Sequence, residues 1–170
     1  INNHDDFKNS LVDIEKAMPS LKDRDLLVRI KAISVNPVDT KVRRNSVVAG
    51  NMRILGWDAV GEVIEVGSGV QHFKVGDQVW YAGDLTRDGS NAEYQAVDER
   101  IVSLKPQSLS NAEAAALPLT AITAWEMLFD RFNVDLDQSD NILVIGGAGG
   151  VGSIAIQLLK AKTNLKVIAT

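Results

Sequence analysis

The stretch Ile142-Leu143-Val144-Ile145-Gly146-Gly147-Ala148-Gly149-Gly150-Val151-Gly152 decides the fold of the C-terminal part of this chain. Its four branched apolar residues are typical of a buried strand, and glycines fill five of the next seven positions. An amphipathic run follows over residues 153–162, and residues 165–169 again have the composition of a strand. Strand, turn, helix and strand in this order predict one βαβ unit with parallel strands.

The glycine-rich turn fits the spacing Gly-x-Gly-x-x-Gly from Gly147 to Gly152. Between a strand and a helix, such glycines allow a tight turn, a close backbone approach to a pyrophosphate and close helix packing. The helix N-terminus adds unpaired N–H groups and about half a positive charge. We therefore predict a dinucleotide site here; the alternative is that the glycines serve helix packing alone. No Asp or Glu lies between Asn141 and Thr170, so this stretch does not distinguish NAD from NADP.

The N-terminal two thirds of the chain has the pattern of short strands separated by turns. Apolar and β-branched runs predict strands over residues 26–33, 59–66 and 78–81, and two further short strands within 92–104. Strands at roughly this spacing indicate a compact β-rich domain with irregular connections.

The pattern becomes helical after Pro106. Ser110 and Glu113 have the spacing of a capping box, and the alanines that follow predict a helix that Pro118 ends. A second helix is predicted from about Thr120. Its apolar residues are expected to face the core: Ile122, Trp125, Met127, Leu128 and Phe129.

Composition excludes several classes of protein. The 170 residues contain no Cys and only two histidines, His4 and His72, which excludes a thiolate zinc site, an iron–sulfur cluster and a disulfide framework. The net charge is −4 without a long block of like charges, so we expect no nucleic-acid partner. Residues 142–159 are uncharged, but their glycines each cost about 1 kcal/mol in a helix, so we expect no membrane span.

Five motifs then carry a family resemblance. Their order is that of medium-chain dehydrogenases/reductases, and the chain resembles most closely the quinone oxidoreductase-like branch, also called zinc-type alcohol dehydrogenase-like proteins. The motifs are Ser34-Val35-Asn36-Pro37-Val38-Asp39-Thr40, Gly56-Trp57-Asp58-Ala59-Val60-Gly61-Glu62-Val63, Val75-Gly76-Asp77-Gln78-Val79, Gly89-Ser90-Asn91-Ala92-Glu93-Tyr94 and the glycine cluster.

The resemblance implies an α/β plus β architecture. A GroES-like catalytic domain is expected over residues 1–112, followed over residues 113–170 by the first βαβ unit of a Rossmann domain with a doubly wound parallel sheet. Two strands with an open edge are too few for a complete binding fold. We therefore expect a truncated chain that belongs to a polypeptide about twice this length.

The expected mechanism follows from two departures from zinc-dependent relatives. Where the zinc-dependent enzymes that this chain resembles carry a Cys and a His as zinc ligands, this chain has Asn36 and Trp57. An indole N–H only donates and an amide oxygen is a poor zinc ligand, so we expect no catalytic zinc and predict no metal-binding residue. Asp39 and Asp58 are expected to be hydrogen-bonded structural acids, with acid–base catalysis as the alternative.

Without a Lewis acid, the chemistry we expect is hydride transfer to an acceptor activated by conjugation, a quinone or an α,β-unsaturated carbonyl. The resemblance implies NADPH as the cofactor, with NADH left open, and places Asn36 and Thr123 at the nicotinamide. By its position, Tyr81 is a candidate to offer its hydroxyl to the developing oxyanion. The predicted site is thus catalytic Asn36 and Tyr81, with cofactor-binding Asn36, Thr123, Gly146, Gly147, Ala148, Gly149, Gly150, Val151 and Gly152.

Two other functions stay open at this point. One is a zinc-dependent alcohol dehydrogenase, and the other is a non-enzymatic NADPH-binding protein on the same scaffold, since fold does not determine function. For the leading hypothesis we expect a soluble, cytoplasmic oxidoreductase with a small-molecule substrate. The resemblance implies a homodimer for the full-length protein.

Overall fold

Two compact units make up the chain. The computed structural model describes residues 11–45, 53–137 and 139–170, and the units extend over residues 1–116 and 117–170. The expected domain boundary between residues 112 and 113 stays a prediction about the domains of the whole protein.

The first unit is built on a five-stranded sheet in which every paired neighbour is antiparallel. Its strands follow the order β4-β1-β2-β3-β5 across the sheet. All five strands confirm the strands predicted for this part of the chain. They are β1 (Asp25–Ser34), β2 (Asp58–Val66), β3 (Gln78–Ala82), β4 (Tyr94–Asp98) and β5 (Val102–Leu104).

Alternating side chains of these strands form the core of the first unit. Its buried members are Leu26, Val28, Ala59, Val63, Val79, Tyr81 and Val97. Glu62 alternates with its fully buried neighbour Val63 and lies near the surface. Glu65 is exposed although it lies two residues from Val63, because the pairing register with β1 shifts between these two positions.

Among the described residues of the first unit, two α-helices form, α1 (Pro37–Asn45) and α2 (Asn111–Ala115). Helix α1 was not predicted, because after Pro37 its only apolar residues are Val38 and Val42, one turn apart in a strongly polar sequence; Pro37 at its first position suits the start of a helix. The capping box of α2 is confirmed: the Glu113 N–H donates to Ser110 Oγ at 3.3 Å, and the Ser110 N–H donates to the Glu113 carboxylate at 2.9 Å.

The second unit contains the predicted βαβ arrangement. Strands β6 (Asn141–Val144) and β7 (Lys166–Ala169) pair in parallel, and α4 (Gly150–Lys162) connects them. Helix α3 (Pro118–Trp125) precedes them and continues into a π-helical turn, Glu126–Arg131. The buried core of this unit consists of Ala124, Leu128, Ala155, Leu159 and Leu165.

One packing prediction in the second unit is wrong. Ile122 and Trp125 were expected to face the core, but 43% and 44% of their surfaces are exposed. Residues 122 and 125 lie on one face of α3, whereas the buried Ala124 and Leu128 lie on another, so both faces cannot point to the same core. Trp125 instead contacts the ring of Phe129, with ring centroids 4.8 Å apart.

The uncharged stretch 142–159 is divided between β6, the glycine turn and α4. Within the ranges that the structure describes, no helix combines the length and the apolar character needed to cross a bilayer.

Candidate functional site: a glycine cradle and a buried amide

The glycine turn between β6 and α4 adopts a conformation that depends on its first glycine. Gly146 has φ +75°, which side chains with a Cβ rarely adopt, and an added Cβ would meet no neighbouring atom. The turn closes through a hydrogen bond of 3.0 Å from the Gly149 N–H to the Gly146 carbonyl. Gly149 is the N-cap of α4, so the helix begins directly at the turn.

Two other glycines allow the close packing of the turn. A Cβ on Gly152 would lie 2.3 Å from the Gly146 carbonyl oxygen. A Cβ on Gly147 would lie 2.9 Å from both Ala169 Cβ and Ile156 Cδ1. These contacts are too short for any side chain, so Gly147 and Gly152 bring β6, β7 and α4 together.

The outer face of the turn is open and offers hydrogen-bond donors. Gly146, Ala148, Gly149 and Gly150 are exposed, and no side chain caps the N-terminus of α4. The first N–H groups of a helix have no carbonyl acceptor one turn earlier, so those of Gly150, Val151 and Gly152 can serve an anion. The residues present therefore fit the pyrophosphate of a dinucleotide.

Helix α3 lies against this cradle. A Cβ on Gly150 would be 3.1 Å from Thr120 Cγ2, so α3 contacts the first turn of α4. Thr123, one turn further along α3, is exposed and donates its hydroxyl hydrogen to the Leu119 carbonyl at 2.7 Å. Its oxygen can still accept a hydrogen bond, and the predicted contact with a nicotinamide stays a prediction. The contact of Thr120 with the glycine turn was not predicted, because an isolated Thr in a helix carries no sequence signal.

In the first unit, Asn36 is held at both its backbone and its side chain. Its backbone N–H donates to Asp39 Oδ2 at 2.7 Å, across the first turn of α1. Its side-chain Nδ2 donates to Asp58 Oδ2 at 2.9 Å. Asn36 is buried with 8% of its surface exposed, and Asp58 is completely buried. Asp39 and Asp58 are thus both hydrogen-bonded, as expected for structural acids.

Two sequence motifs meet around Asp58. The Asn91 N–H donates to the Leu55 carbonyl at 2.8 Å, and Ser90 Oγ donates to the Asp58 carbonyl at 3.2 Å. Gly56 has φ +105°, and a Cβ there would lie 2.5 Å from Asn91 Oδ1. The Gly56 and Gly89 motifs are thus adjacent loops that support the start of β2.

Tyr81 lies inside the first unit. Only 2% of its surface is exposed, and its hydroxyl donates to Gln95 Oε1 at 2.9 Å. Burial raises the pKa of the Tyr81 phenol well above its ordinary value. The phenol therefore stays protonated and engaged with Gln95, and the catalytic role expected for it stays a prediction.

Two buried carboxylates anchor the loops that surround the sheet. Arg87 binds Asp25 through two hydrogen bonds, of 2.9 and 2.7 Å. Burial opposes the charge on Asp25, but these bonds and the Lys22 N–H more than compensate, so the pKa of Asp25 lies below its ordinary value. Glu99 accepts the N–H groups of Gln71 and His72, both at 3.0 Å, and its pKa is likewise lowered against the effect of burial.

The ligand chemistry near Asn36 does not suit zinc. Asn36 turns its amide N–H to Asp58, and the indole of Trp57, 7% exposed, offers only a donor. Across the described part of the chain, no group of three His, Asp or Glu side chains could hold a metal ion. His72 is exposed, and His4 lies outside the described residues.

Comparison with known proteins identifies the class. Residues 22–107 match the alcohol dehydrogenase GroES-like domain, which is half of this chain. The chain belongs to this family and to the medium-chain dehydrogenases/reductases, with zinc-type alcohol dehydrogenase-like proteins and quinone oxidoreductases among its relatives.

Among curated proteins, the chain is similar to a zinc-type alcohol dehydrogenase-like protein of Staphylococcus aureus (strain MRSA252). The two are 49% identical over 160 residues, which covers 92% of this chain and 47% of that protein. The 2-methylene-furan-3-one reductase of Solanum lycopersicum is 44% identical over 155 residues, covering 85% of this chain and 39% of that protein. The chain thus spans about half the length, or less, of these relatives.

Solved structures share the architecture. An alcohol dehydrogenase superfamily protein from Novosphingobium aromaticivorans superposes with a TM-score of 0.83 at 38% identity, covering 92% of this chain and 48% of that one. The quinone oxidoreductase from Coxiella burnetii superposes with a TM-score of 0.73 at 34% identity, covering 92% of this chain and 50% of that one. A mycobacterial protein solved in complex with NADPH superposes with a TM-score of 0.77 at 29% identity, covering 92% of this chain and 47% of that one.

Proposed function

We propose that the protein containing this chain is a zinc-independent, NADPH-dependent oxidoreductase that transfers hydride to a quinone or an α,β-unsaturated carbonyl. The observation that carries the proposal is the glycine cradle of the second unit. Its positive-φ glycine, its close-packed Gly147 and Gly152 and the uncapped start of α4 are the features that a dinucleotide pyrophosphate requires.

In this proposal the chain's own groups bind and orient. The N–H groups at Gly150, Val151 and Gly152 hold the pyrophosphate, aided by the positive end of the α4 dipole. Thr123 and Asn36 contact the nicotinamide. When bound, NADPH supplies the hydride, and the acceptor takes up one hydride and one proton.

The choice of acceptor rests on the absence of a suitable ligand set at Asn36 and Trp57. An alcohol or a simple ketone needs a Lewis acid to polarise its oxygen, whereas a quinone or an enone is activated by conjugation. The similarity to a quinone oxidoreductase and to a reductase whose named substrate is an enone supports the same choice. The complex of a similar protein with NADPH supports the choice of coenzyme.

The test uses the full-length protein. NADPH and NADH are titrated against intrinsic tryptophan fluorescence, and NADPH oxidation is followed with 1,4-benzoquinone, but-3-en-2-one and butan-2-one. Butan-2-one is the matched control because it lacks only the conjugated double bond. We expect saturable NADPH binding and turnover with the quinone or the enone alone.

Other outcomes would contradict the proposal. The absence of saturable binding of either reduced coenzyme would refute it. Turnover of butan-2-one that requires zinc would favour an alcohol dehydrogenase, and tight NADPH binding without any turnover would favour a non-enzymatic protein.

We further propose a homodimer in the cytoplasm for the full-length protein, on the resemblance to its branch. Size-exclusion chromatography with light scattering gives the mass of the assembly, and a monomer at micromolar concentration would overturn the proposed dimer.

A further inference from the structure

The first unit contains a cavity of about 1210 Å³ beside β4, the strand at one edge of its sheet. We call it the edge cavity. Residues 94–96 of β4 line it, and so does the segment 11–20, which has no regular secondary structure. Both belong to the first unit, so the edge cavity lies within one compact body.

The backbone of β4 presents unpaired groups along its outer edge. In an antiparallel pair, successive residues direct their N–H and carbonyl groups alternately toward the partner strand and away from it. The Ile30 N–H donates to the Glu93 carbonyl at 2.9 Å, so Tyr94 and Ala96 direct their backbone groups away from β1. These groups make no hydrogen bond to any described residue, although only 8% of the Ala96 surface is exposed. Buried backbone groups are paired in more than about 90% of cases, so the edge of β4 lacks a partner.

The segment 11–20 is a second wall with unpaired backbone. Within the described ranges, its backbone groups form no hydrogen bond, and the ion pair of Lys16 with Asp88 is its one printed polar contact. Residues 12–15, Val-Asp-Ile-Glu, alternate apolar and acidic side chains, a pattern typical of a strand with one buried face. Val12 and Ile14 are nevertheless 60% and 38% exposed. A strand sequence without a neighbouring strand has no ladder to join, so it stays irregular.

We propose that a strand from the polypeptide that precedes Ile1 in the full-length protein fills the edge cavity. It pairs with Tyr94 and Ala96 on one side and with residues 12–16 on the other, and it converts the segment into a strand. The inference goes beyond the proposed function and does not rest on it.

The choice of occupant rests on chain length and on strand order. The chain spans about half of its curated relatives, so a comparable length of polypeptide is available outside it. Strands that follow each other in sequence lie side by side roughly two-thirds of the time. The next strand after residues 12–16 is β1, which is already paired on both sides by β4 and β2. The neighbour in sequence that remains is therefore the segment on the N-terminal side.

Amide hydrogen exchange of the native full-length protein tests whether the edge is covered. Gln95 and Val97 are internal controls, because their N–H groups face β1 in either case. We expect the amides of Tyr94 and Ala96 to exchange within about tenfold of the rates of these two controls. Faster exchange at Tyr94 and Ala96 would overturn the proposal, because it would show an open edge.

A truncation identifies the occupant. Removing all residues before Ile1 from the full-length protein should speed exchange at Tyr94 and Ala96 about a hundredfold and leave Gln95 and Val97 slow. Removing an equal number of residues from the C-terminus is the matched control and should change none of the four. Protection that survives the N-terminal truncation, or a mature protein that begins at Ile1, would overturn the proposal.

A measurement on the intact protein covers the case in which the truncated protein does not fold. Cross-strand nuclear Overhauser effects should connect Ala96 and Ile14 to the same residues preceding Ile1. Such effects to residues after Thr170, or to a differently labelled second copy, would overturn the proposal. None of these measurements involves coenzyme, so failure of the strand proposal and failure of the proposed function are distinguishable.

Discussion

The glycines of the cradle are required for different physical reasons, which are visible only residue by residue. Gly146 needs its positive φ of +75° but has space for a Cβ, whereas Gly152 has no space because the Gly146 carbonyl oxygen is 2.3 Å from its missing Cβ. Both packing and ligand access therefore constrain the same short turn. Helix packing and the proposed pyrophosphate binding are therefore compatible uses of these glycines.

Gly152→Ala should damage the cradle. The added methyl group must push the Gly146 carbonyl away, which we expect to cost about 1–3 kcal/mol of stability and to weaken NADPH binding about tenfold. Urea unfolding and a fluorescence titration measure the two effects. Gly149→Ala is the milder comparison, since its Cβ would lie 3.3 Å from the same oxygen at φ −74°. Equal behaviour of the two variants would contradict the steric explanation.

Tyr81→Phe separates packing from catalysis. The variant keeps the ring but leaves Gln95 Oε1 without its donor, so we expect a loss of about 1–2 kcal/mol in the free energy of unfolding. Urea unfolding measures this loss, and steady-state kinetics of the full-length Tyr81→Phe protein measure its kcat. A fall in kcat would support the predicted catalytic role of Tyr81, and an unchanged kcat would restrict the residue to the core.

At the level of elements, buried carboxylates connect loops to the strands of the first unit. Asp25, at the start of β1, binds Arg87 from the loop that precedes β4, and Glu99, which follows β4, binds the backbone of the loop between β2 and β3. Each is nearly inaccessible, with 1% and 2% of its surface exposed. The negative charges of Asp25 and Glu99 therefore help to hold these loops against the sheet.

Arg87→Met should lower stability in a pH-dependent way. Removing one partner of a buried pair costs about 3 kcal/mol at neutral pH. The pKa of Asp25 is lowered in the folded chain, so its stabilisation is full above the unfolded value of about 4 and is lost as pH falls through the folded value. We therefore expect the difference between wild type and variant to stay constant from pH 7 down to about pH 4 and to narrow below pH 4, as measured by urea unfolding.

Arg100→Met is the control for this experiment. Its partner Asp98 also forms an ion pair, but 69% of the Arg100 side chain is exposed, so we expect a much smaller loss of stability than for Arg87→Met. A loss as large as that of Arg87→Met, or a difference that does not change with pH, would contradict the role of the buried Asp25 pair.

For the whole molecule, each unit carries its own set of candidate residues. The antiparallel unit carries Asn36 and Asp58, and the βαβ unit carries the glycine cradle and Thr123. This division agrees with family membership established over residues 22–107, which lie entirely in the first unit.

Metal removal tests the proposed zinc independence of the full-length protein. After dialysis against 1,10-phenanthroline, we expect unchanged NADPH-dependent turnover and an unchanged melting temperature, because Asn36 and Trp57 offer no adequate zinc ligands. Elemental analysis of the untreated protein measures bound zinc directly. Turnover lost on chelation and restored by zinc would contradict the proposal.

The seven strands within the described residues, the capping box and the βαβ order could be predicted from local sequence, because alternating apolar residues and glycine spacing act over a few residues. Helix α1 was not predicted, because two valines one turn apart, Val38 and Val42, are a weak signal in an otherwise polar sequence. The π-helical turn after Trp125 was also missed, since nothing in a helical sequence marks the insertion of a wider turn.

The sequence by itself determined the class of fold and the glycine turn between β6 and α4, because both depend on patterns between near neighbours along the chain. Only the tertiary structure decided the partners of the polar side chains: Asp58 binds an amide 22 residues away, and Tyr81 binds Gln95 within the core. Such contacts depend on strand register and on which loops meet. The order of residues along the chain does not specify these hydrogen-bond partners directly, because many pairings of the same polar residues are compatible with the same sequence pattern.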